Sequence, residues 1–302
     1  MKLLVTGARG MLGTAVVERF SNDNNYAVIG TDVTGEGLNL DICDTAALKS
    51  FFEKEKPGLV INTAAYTAVD LAESEEDKAF EINALGVENL AKVSKEFGAK
   101  IVHISTDFVF HGREGDKPFK EDDGVNPRGV YARSKLSGEE KLKAVTDDYL
   151  LIRTSWLYGP NGKNFVTAIK NKIETSTELK VVCDQYGSPT YTVDLAEAIY
   201  NLVSKELKGV FHFSNETGPT GISWHEFAVG IWGQMVIREM PYKIDLIQEI
   251  PTEGYPTPAE RPKYSVLDTS KYRKLTGKTA PDWKEALIRY FNTFPKTINT
   301  ID

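Results

Sequence analysis

The chain has 302 residues, 41% hydrophobic and 26% charged, a balance ordinary for a soluble globular protein with apolar material for a well-filled core. A net charge of -7 and a pI near 5.4 argue against a general nucleic-acid binder, and no apolar run reaches the ~20 residues needed to span a bilayer. Two cysteines, Cys43 and Cys183, lie far apart without metal-ligand spacing, so they are expected to be reduced thiols in a cytoplasmic protein, and no metal site is expected.

The first residues run straight into an apolar stretch, Lys2–Thr6, which reads as a strand and not as a signal peptide. Gly7-Ala-Arg-Gly10-Met-Leu-Gly13 follows at once, ahead of a helix with apolar positions Met11, Leu12, Val16, Val17 and Phe20. Glycines between a strand and a helix permit a tight turn and close approach of a pyrophosphate to the positive helix N-terminus. Such a turn can also simply start a helix, but the strand–turn–helix context favours a dinucleotide. The second predicted strand, Tyr26–Asp32, ends on a carboxylate near the spacing expected for an acid that binds the adenosine ribose. Asp32 should repel a 2′-phosphate and so puts NAD ahead. Arg9 could pair with that phosphate and permit NADP, or be merely solvated. Asp41-Ile42, before a helix near 44–55, could frame an adenine edge, although Asp41 could equally cap the helix.

A third strand, 57–62, continues into Thr63-Ala64-Ala65-Tyr66-Thr67, small residues where a parallel sheet exposes its ligand crevice. Residues 73–97 predict one long helix, with Asn83 either functional or plain surface polarity. A fourth strand, 99–107, brings Ser105 and Thr106 to its C-terminal end, where both are expected to face the crevice unless they only cap the next turn. His103 is expected in the core. Residues 108–128, with Gly112, Gly115, Pro118, Gly124 and Pro127, read as a loop crossing the active-site face. Tyr131-Ala-Arg-Ser-Lys135 then opens a helix through about 146. The i, i+4 spacing sets phenol and ammonium on one face, where a cation would pull the phenol pKa down from ~10. Tyr and Lys also fall four apart on many solvated helices, so the pentapeptide draws its meaning from what precedes it. Alternation of strands and helices predicts an α/β fold, a Rossmann-type doubly wound parallel sheet.

Further elements follow: a strand at 149–153, a helix at 164–174, a strand at 179–183, a helix at 192–203 opening with Thr-x-x-Asp, and a strand at 210–213. His212 and His225 are expected to be structural. From Gly218 the chain is richer in Pro, Gly and aromatics, which fits a smaller portion closing over the crevice. The division expected is 1–155 as the dinucleotide-binding domain with the catalytic residues, 179–213 returning to it, and 156–178 with 214–302 as the substrate-binding portion.

Gly7-x-x-Gly10-x-x-Gly13, Asp32, Ser105-Thr106 and Tyr131-x-x-x-Lys135 occur in one order. Together they resemble the extended short-chain dehydrogenase/reductases that act on nucleotide sugars, and within them the dTDP-4-dehydrorhamnose reductase family. The resemblance runs almost end to end, through Ile104-Ser-Thr-Asp-Phe-Val-Phe110, Arg153-Thr-Ser-Trp156, Asp184-Gln-Tyr-Gly-Ser-Pro-Thr190 and Arg261-Pro262. It implies reduction of the C4 keto group of dTDP-4-dehydro-6-deoxy-L-mannose to dTDP-L-rhamnose by NADH or NADPH, in polysaccharide biosynthesis. By the same resemblance Tyr131 donates the proton, and Lys135 binds the nicotinamide ribose and lowers the phenol pKa. Thr106 bonds the reacting oxygen with Asp107 beside it, and Trp156 lies against the substrate. The cofactor set is Gly7, Gly10, Met11, Leu12, Gly13, Asp32, Asp41, Ile42, Ala64, Ala65, Tyr66 and Thr67, with Tyr131 and Lys135. Arg261 is the candidate for the substrate phosphates, or else an arginine paired with a nearby acid.

The chain departs from the family pattern at Arg9-Gly10-Met11, at Phe108 and His111, and at Tyr264. Where some members carry a glutamate that binds Mg²⁺ at a dimer interface, this chain has Ala15, so a monomer or weak homodimer without a bridging metal is expected. The alternatives are another nucleotide-sugar reductase, an epimerase that keeps its NAD, or a non-catalytic relative resembling the regulatory subunit of methionine adenosyltransferase. Thr106, Tyr131 and Lys135 together speak against the last.

Overall fold

Runs such as Leu3-Leu-Val5 and Leu59-Val-Ile61 are apolar at every position and fully buried, as strands covered by helices on both faces must be. A computed structural model of the chain describes residues 1–112 and 117–294. Its first elements are β1 (Lys2–Thr6), α1 (Met11–Ser21), β2 (Ala27–Thr31), α2 (Thr45–Glu55), β3 (Leu59–Asn62), α3 (Val69–Ala72), α4 (Glu76–Phe80), α5 (Val87–Glu96) and β4 (Lys100–Thr106). Next come α6 (Gly129–Val145), β5 (Tyr149–Thr154), β6 (Leu157–Tyr158), α7 (Phe165–Thr175), β7 (Glu178–Val182), β8 (Tyr186–Gly187), β9 (Thr190–Tyr191), α8 (Thr192–Ser204) and β10 (Gly209–His212). The rest are β11 (Ile222–Ser223), α9 (Trp224–Ile237), β12 (Leu246–Ile250), α10 (Ser270–Thr276) and α11 (Trp283–Phe291).

The main sheet is wholly parallel, in the order β2-β1-β3-β4-β5-β10. From β1 the chain goes outward to β2 and then crosses to β3 on the other side of β1. That reversal opens a crevice at the C-terminal ends of β1 and β3. The doubly wound sheet expected from the sequence is therefore the fold found. Leu3 and Val5 point into a core shared with Val16 and Phe20 of α1 and Leu195 and Ile199 of α8. Leu4, one residue along the pleat, points to the opposite core with Phe52, Leu90 and Leu142. A separate core gathers Tyr158 of β6 with Ile169, Phe227, Ile231, Trp283 and Tyr290 from α7, α9 and α11.

Two expectations are corrected. The segment 179–213 does not return to the main sheet as one piece: β7 pairs with β12 in its own ribbon, and only α8 and β10 return. β7 is buried only near its end, whereas the central strands β3, β4 and β5 of the main sheet are covered on both faces. The long helix over 73–97 is broken by a turn at 73–75 and by a π-helical stretch, Glu81–Gly86. The widened turn lets Gly138 of α6 sit where a Cβ would lie 2.1 Å from the Asn83 carbonyl oxygen. π-Turns inside helices recur at functional sites, and this one packs against α6, which carries Tyr131 and Lys135.

The stretch after β4 is only partly a surface loop. Phe110 and Phe119 stack with centroids 4.4 Å apart against Tyr264, Val266 and Leu267; Gly115 lies outside the described residues. His103 and His212 are buried, as expected. No helix among the described residues is long and apolar enough to cross a membrane.

Candidate active site

The floor of the cleft is backbone. Gly7 has φ +66°, and a Cβ there would lie 2.7 Å from the Ala64 nitrogen; at Gly13 it would lie 2.1 Å from the Gly7 carbonyl oxygen. Gly10 is the N-cap of α1 with no side-chain cap, so the first N–H groups of the helix lack intrahelical partners where Met11, Leu12 and Gly13 line the cleft. Asp32 follows β2 and accepts from the Arg9 (3.1 Å) and Val33 (2.8 Å) backbone N–H groups. The Arg9 guanidinium donates to the Thr34 carbonyl at 2.8 Å. Asp41 accepts from the Cys43 N–H at 2.8 Å and does not cap α2; Asp44 does. Asp41, Ile42, Ala64, Ala65 and Thr67 line the same cleft, whose volume is about 1030 Å³. Tyr66 does not. Its ring fills a pocket with Ala72, Ala79 and Val130, its hydroxyl donates to Glu75 (2.8 Å), and Asn83 holds its main chain on both sides (2.9 and 3.0 Å).

At the inner end, the C-terminus of β4 meets the first turn of α6. Tyr131 and Thr106 line the cleft together here, and the Tyr131 ring meets the Phe108 ring edge to face at 5.6 Å. The Lys135 ammonium donates to the Ile104 carbonyl at 2.7 Å. Burial pushes the phenol up to about 12, with the nearby Thr106 hydroxyl opposing and the Asp107 charge adding. Burial pushes Lys135 down to about 8, against the attraction of Glu139. The lysine therefore does not depress the phenol as the sequence suggested, because its ammonium is turned to a strand carbonyl and burial dominates both groups. The phenol stays protonated at neutral pH, the state a proton donor needs.

Ser105 and Thr106 both line the cleft, but strand alternation sends their hydroxyls to different partners. Ser105 donates to Glu139 at 2.6 Å, and Glu139 is wholly buried in a two-pronged pair with Arg153 (2.7 and 2.9 Å). Asp107, expected beside the substrate, lines the cleft but is 2% exposed, with both oxygens engaged by Thr106 (3.1 Å) and Ser265 (2.6 Å). Arg261 lines the cleft, but its fork is closed on Asp70 at 2.8 and 2.9 Å. Trp156, at φ +46°, stacks flat on Trp224 with centroids 3.5 Å apart, and both line the cleft.

Comparison with known proteins gives this geometry a lineage. The family model for the RmlD substrate binding domain matches residues 1–295. A dTDP-4-dehydrorhamnose reductase of Clostridium acetobutylicum, solved by crystallography, is 42% identical and superposes with a TM-score of 0.89 over 97% of this chain and 99% of its own. The chain belongs to the dTDP-4-dehydrorhamnose reductase family. A second such reductase, from Bacillus anthracis and crystallised in complex with NADP, is 35% identical with a TM-score of 0.88 over 97% of this chain and 99% of its own. The Bacillus subtilis (strain 168) spore coat polysaccharide biosynthesis protein SpsK is 41% identical over 290 residues, 96% of each chain.

Two residues, Asn83 behind the cleft and Trp224 in it, carry more of the site than their sequence context suggests. Asn83 holds the 66 backbone and also donates to Ser134 (3.0 Å), tying the third strand's loop to α6. Trp224 was read only as one aromatic of the closing portion. A signal for it exists: Ser223-x-x-Glu226 is a capping box, with bonds of 3.0 and 2.7 Å, and it starts α9 at Trp224.

Proposed function

We propose that this chain is an NAD(P)H-dependent oxidoreductase that reduces the C4 keto group of dTDP-4-dehydro-6-deoxy-L-mannose, giving dTDP-L-rhamnose. The observation that carries the reading is the meeting of Thr106 and Tyr131 at the inner end of the cleft whose outer end is the glycine turn. The residues present suit a dinucleotide: the turn leaves no room for a Cβ at Gly7 or Gly13, and an open helix N-terminus attracts a pyrophosphate. Gly7, Gly10, Met11, Leu12 and Gly13 would hold that pyrophosphate, Asp32 the adenosine ribose, and Asp41 and Ile42 the adenine edge. Ala64, Ala65, Thr67 and Lys135 would hold the nicotinamide half. When bound, the reduced nicotinamide supplies the hydrogen and electron pair that the carbonyl carbon receives.

Tyr131 gives its proton to the C4 oxygen, and the Thr106 hydroxyl hydrogen-bonds the same oxygen. Trp156, backed by Trp224, forms the face against the hexose. Arg261 receives the diphosphate, which presents the same two-oxygen geometry as Asp70 and takes its place. Asp32 speaks for NADH; Arg9 beside it, and the NADP of the Bacillus anthracis relative, speak for NADPH, so both are assigned as usable. Ala15 is buried in the first core, and no bridging metal is assigned to a dimer.

The test is incubation with dTDP-4-dehydro-6-deoxy-L-mannose and NADH or NADPH, following loss of reduced-nicotinamide absorbance and formation of dTDP-L-rhamnose. Absence of cofactor oxidation with both would overturn the reading. Inversion of a sugar carbon without net cofactor oxidation would point to an epimerase.

A further inference from the structure

Trp156 holds a backbone conformation that bulky side chains avoid, φ +46°, so its surroundings must impose it. Those surroundings come from one short stretch, Gly187–Thr190. The Ser155 hydroxyl donates to the Ser188 carbonyl at 2.6 Å, and the Thr190 N–H donates to the Trp156 carbonyl at 3.2 Å. Leu157 and Tyr158 of β6 then run parallel to Thr190 and Tyr191 of β9. The chain is fastened before, at and after Trp156.

Gly187 reaches the ring itself. A Cβ there would lie 2.6, 2.7 and 2.8 Å from Cε2, Cζ2 and Nε1 of Trp156, three adjacent ring atoms. A point nearest Cε2, and almost as near its two ring neighbours, stands over the face of the indole and not at its edge. Trp224 stacks on the same ring with centroids 3.5 Å apart and planes 9° from parallel, and none of its atoms is as near to that point. The two therefore cover opposite faces, and the Trp156 indole fills a slot between the Gly187 main chain and Trp224.

One ribbon sets the width of that slot. Gly187 of β8 pairs with Ile222 of β11 and Tyr186 with Ser223, and Trp224 is the next residue, the first of α9. Glycine in a strand often marks such a close approach, and a close-packed ring has no room to yield.

We propose that Gly187 is a positioning residue for the sugar: lacking a side chain, it admits the Trp156 indole to a slot against Trp224, and the slot makes that indole a fixed wall for the hexose. The proposal rests on Trp156 as the residue against the hexose. Gly187→Ala puts a methyl group inside contact distance of the ring, so the indole must leave the slot or unstack from Trp224. Such a wall acts on the hexose, so a nucleotide without its sugar should not feel the change.

The experiment measures binding of dTDP-L-rhamnose and of dTDP by calorimetry in the wild type, Gly187→Ala, Trp224→Leu and Trp156→Ala, with circular dichroism of the indole bands. Stacked indoles couple and split the band, which should disappear in W156A and be reduced or lost in G187A. In G187A dTDP-L-rhamnose should bind more weakly by roughly 10-fold or more, the scale of a lost apolar contact, while dTDP binds as in the wild type. Adding G187A to W156A should change neither affinity further, because the effect passes through that ring. W224L opens the other side of the slot and should weaken dTDP-L-rhamnose in the same selective way. Where G187A yields no folded protein, W224L and W156A decide alone. A G187A protein that keeps both the split band and the hexose affinity overturns the proposal. So does an equal loss of dTDP and dTDP-L-rhamnose affinity in G187A or W224L, which would mark a purely structural role, and so does a G187A effect that persists in W156A. Wild-type protein that binds dTDP-L-rhamnose no more tightly than dTDP removes the hexose contact, and the proposal with it, even where the split band behaves as expected.

Discussion

The two ends of the cleft are built from different materials. The outer end, from Gly7 to Gly13 with Asp32 and Ala64–Ala65, is main chain packed so closely that Cβ atoms are excluded at Gly7 and Gly13. At the inner end, Thr106, Tyr131, Lys135, Trp156 and Arg261 are side chains, and the last four each pack or bond against a group from another part of the chain. A backbone site needs local geometry, which a short motif can specify. A side-chain site needs support from a distance, and its fine structure is set by whichever partners the fold delivers.

The sharpest way to separate the two ends is Tyr131→Phe. It removes one hydroxyl from the inner end and leaves the glycine turn alone. Turnover should fall by roughly 10²–10⁴-fold, the usual worth of general acid catalysis, while NAD(P)H binding, read by fluorescence titration, stays near the wild-type value. Equal losses of both would show that the ends are not independent.

Support from a distance is tested at Glu139. This carboxylate is 0% exposed, and Arg153, Ser105 and Lys143 all bond to it. Arg153 holds it below the usual carboxylate range against the opposing effect of burial. Glu139→Ala leaves the buried Arg153 unpaired and should cost about 3–5 kcal/mol in denaturant unfolding. Replacing both partners by apolar residues should restore much of that loss. A single variant as stable as the wild type would mean that the inner end does not depend on this pair.

The same contrast explains what the sequence made legible. The parallel sheet, the glycine turn and its small-residue neighbours could be read from runs of fewer than about ten residues, because strand, turn and helix start are local events. The partners of Arg261, Asp107 and Ser105 could not. Asp70, Ser265 and Glu139 are brought to them by packing, and nothing near Arg261 in sequence names Asp70. Strand alternation could have separated Ser105 from Thr106 beforehand, since neighbours on a strand face opposite sides. The break of the helix near Asn83 had no composition signal; it follows from the close approach of Gly138.

At the outer end, Gly13→Ala puts a methyl group 2.1 Å from the Gly7 carbonyl oxygen, where the obstacle is backbone and cannot swing away. The turn must shift, at about 1–3 kcal/mol of stability, the range for overpacking a close contact. NAD(P)H binding should weaken at the same time, while the Tyr131–Thr106 end is untouched. A variant that binds cofactor normally would show that the turn is not where the pyrophosphate sits.

The smallest effect on stability is expected at Asp70→Asn. The Asp70–Arg261 bridge joins α3 to the segment near Ala259, and Arg261 holds the carboxyl below its usual range. Both side chains are partly exposed, so solvent screens the pair, and the change should move stability by no more than about 1 kcal/mol. Its effect on substrate is the informative one. If the diphosphate takes the place of Asp70 on Arg261, weakening that competitor should tighten the nucleotide sugar, lowering its KM with kcat nearly unchanged, because the contact is made equally in the ground and transition states. Arg261→Ala should raise KM from the same starting point. A KM in D70N that rises as it does in Arg261→Ala would mean that Asp70 holds Arg261 in its binding position instead of competing for it, and that even this exposed pair belongs to the supporting structure of the inner end.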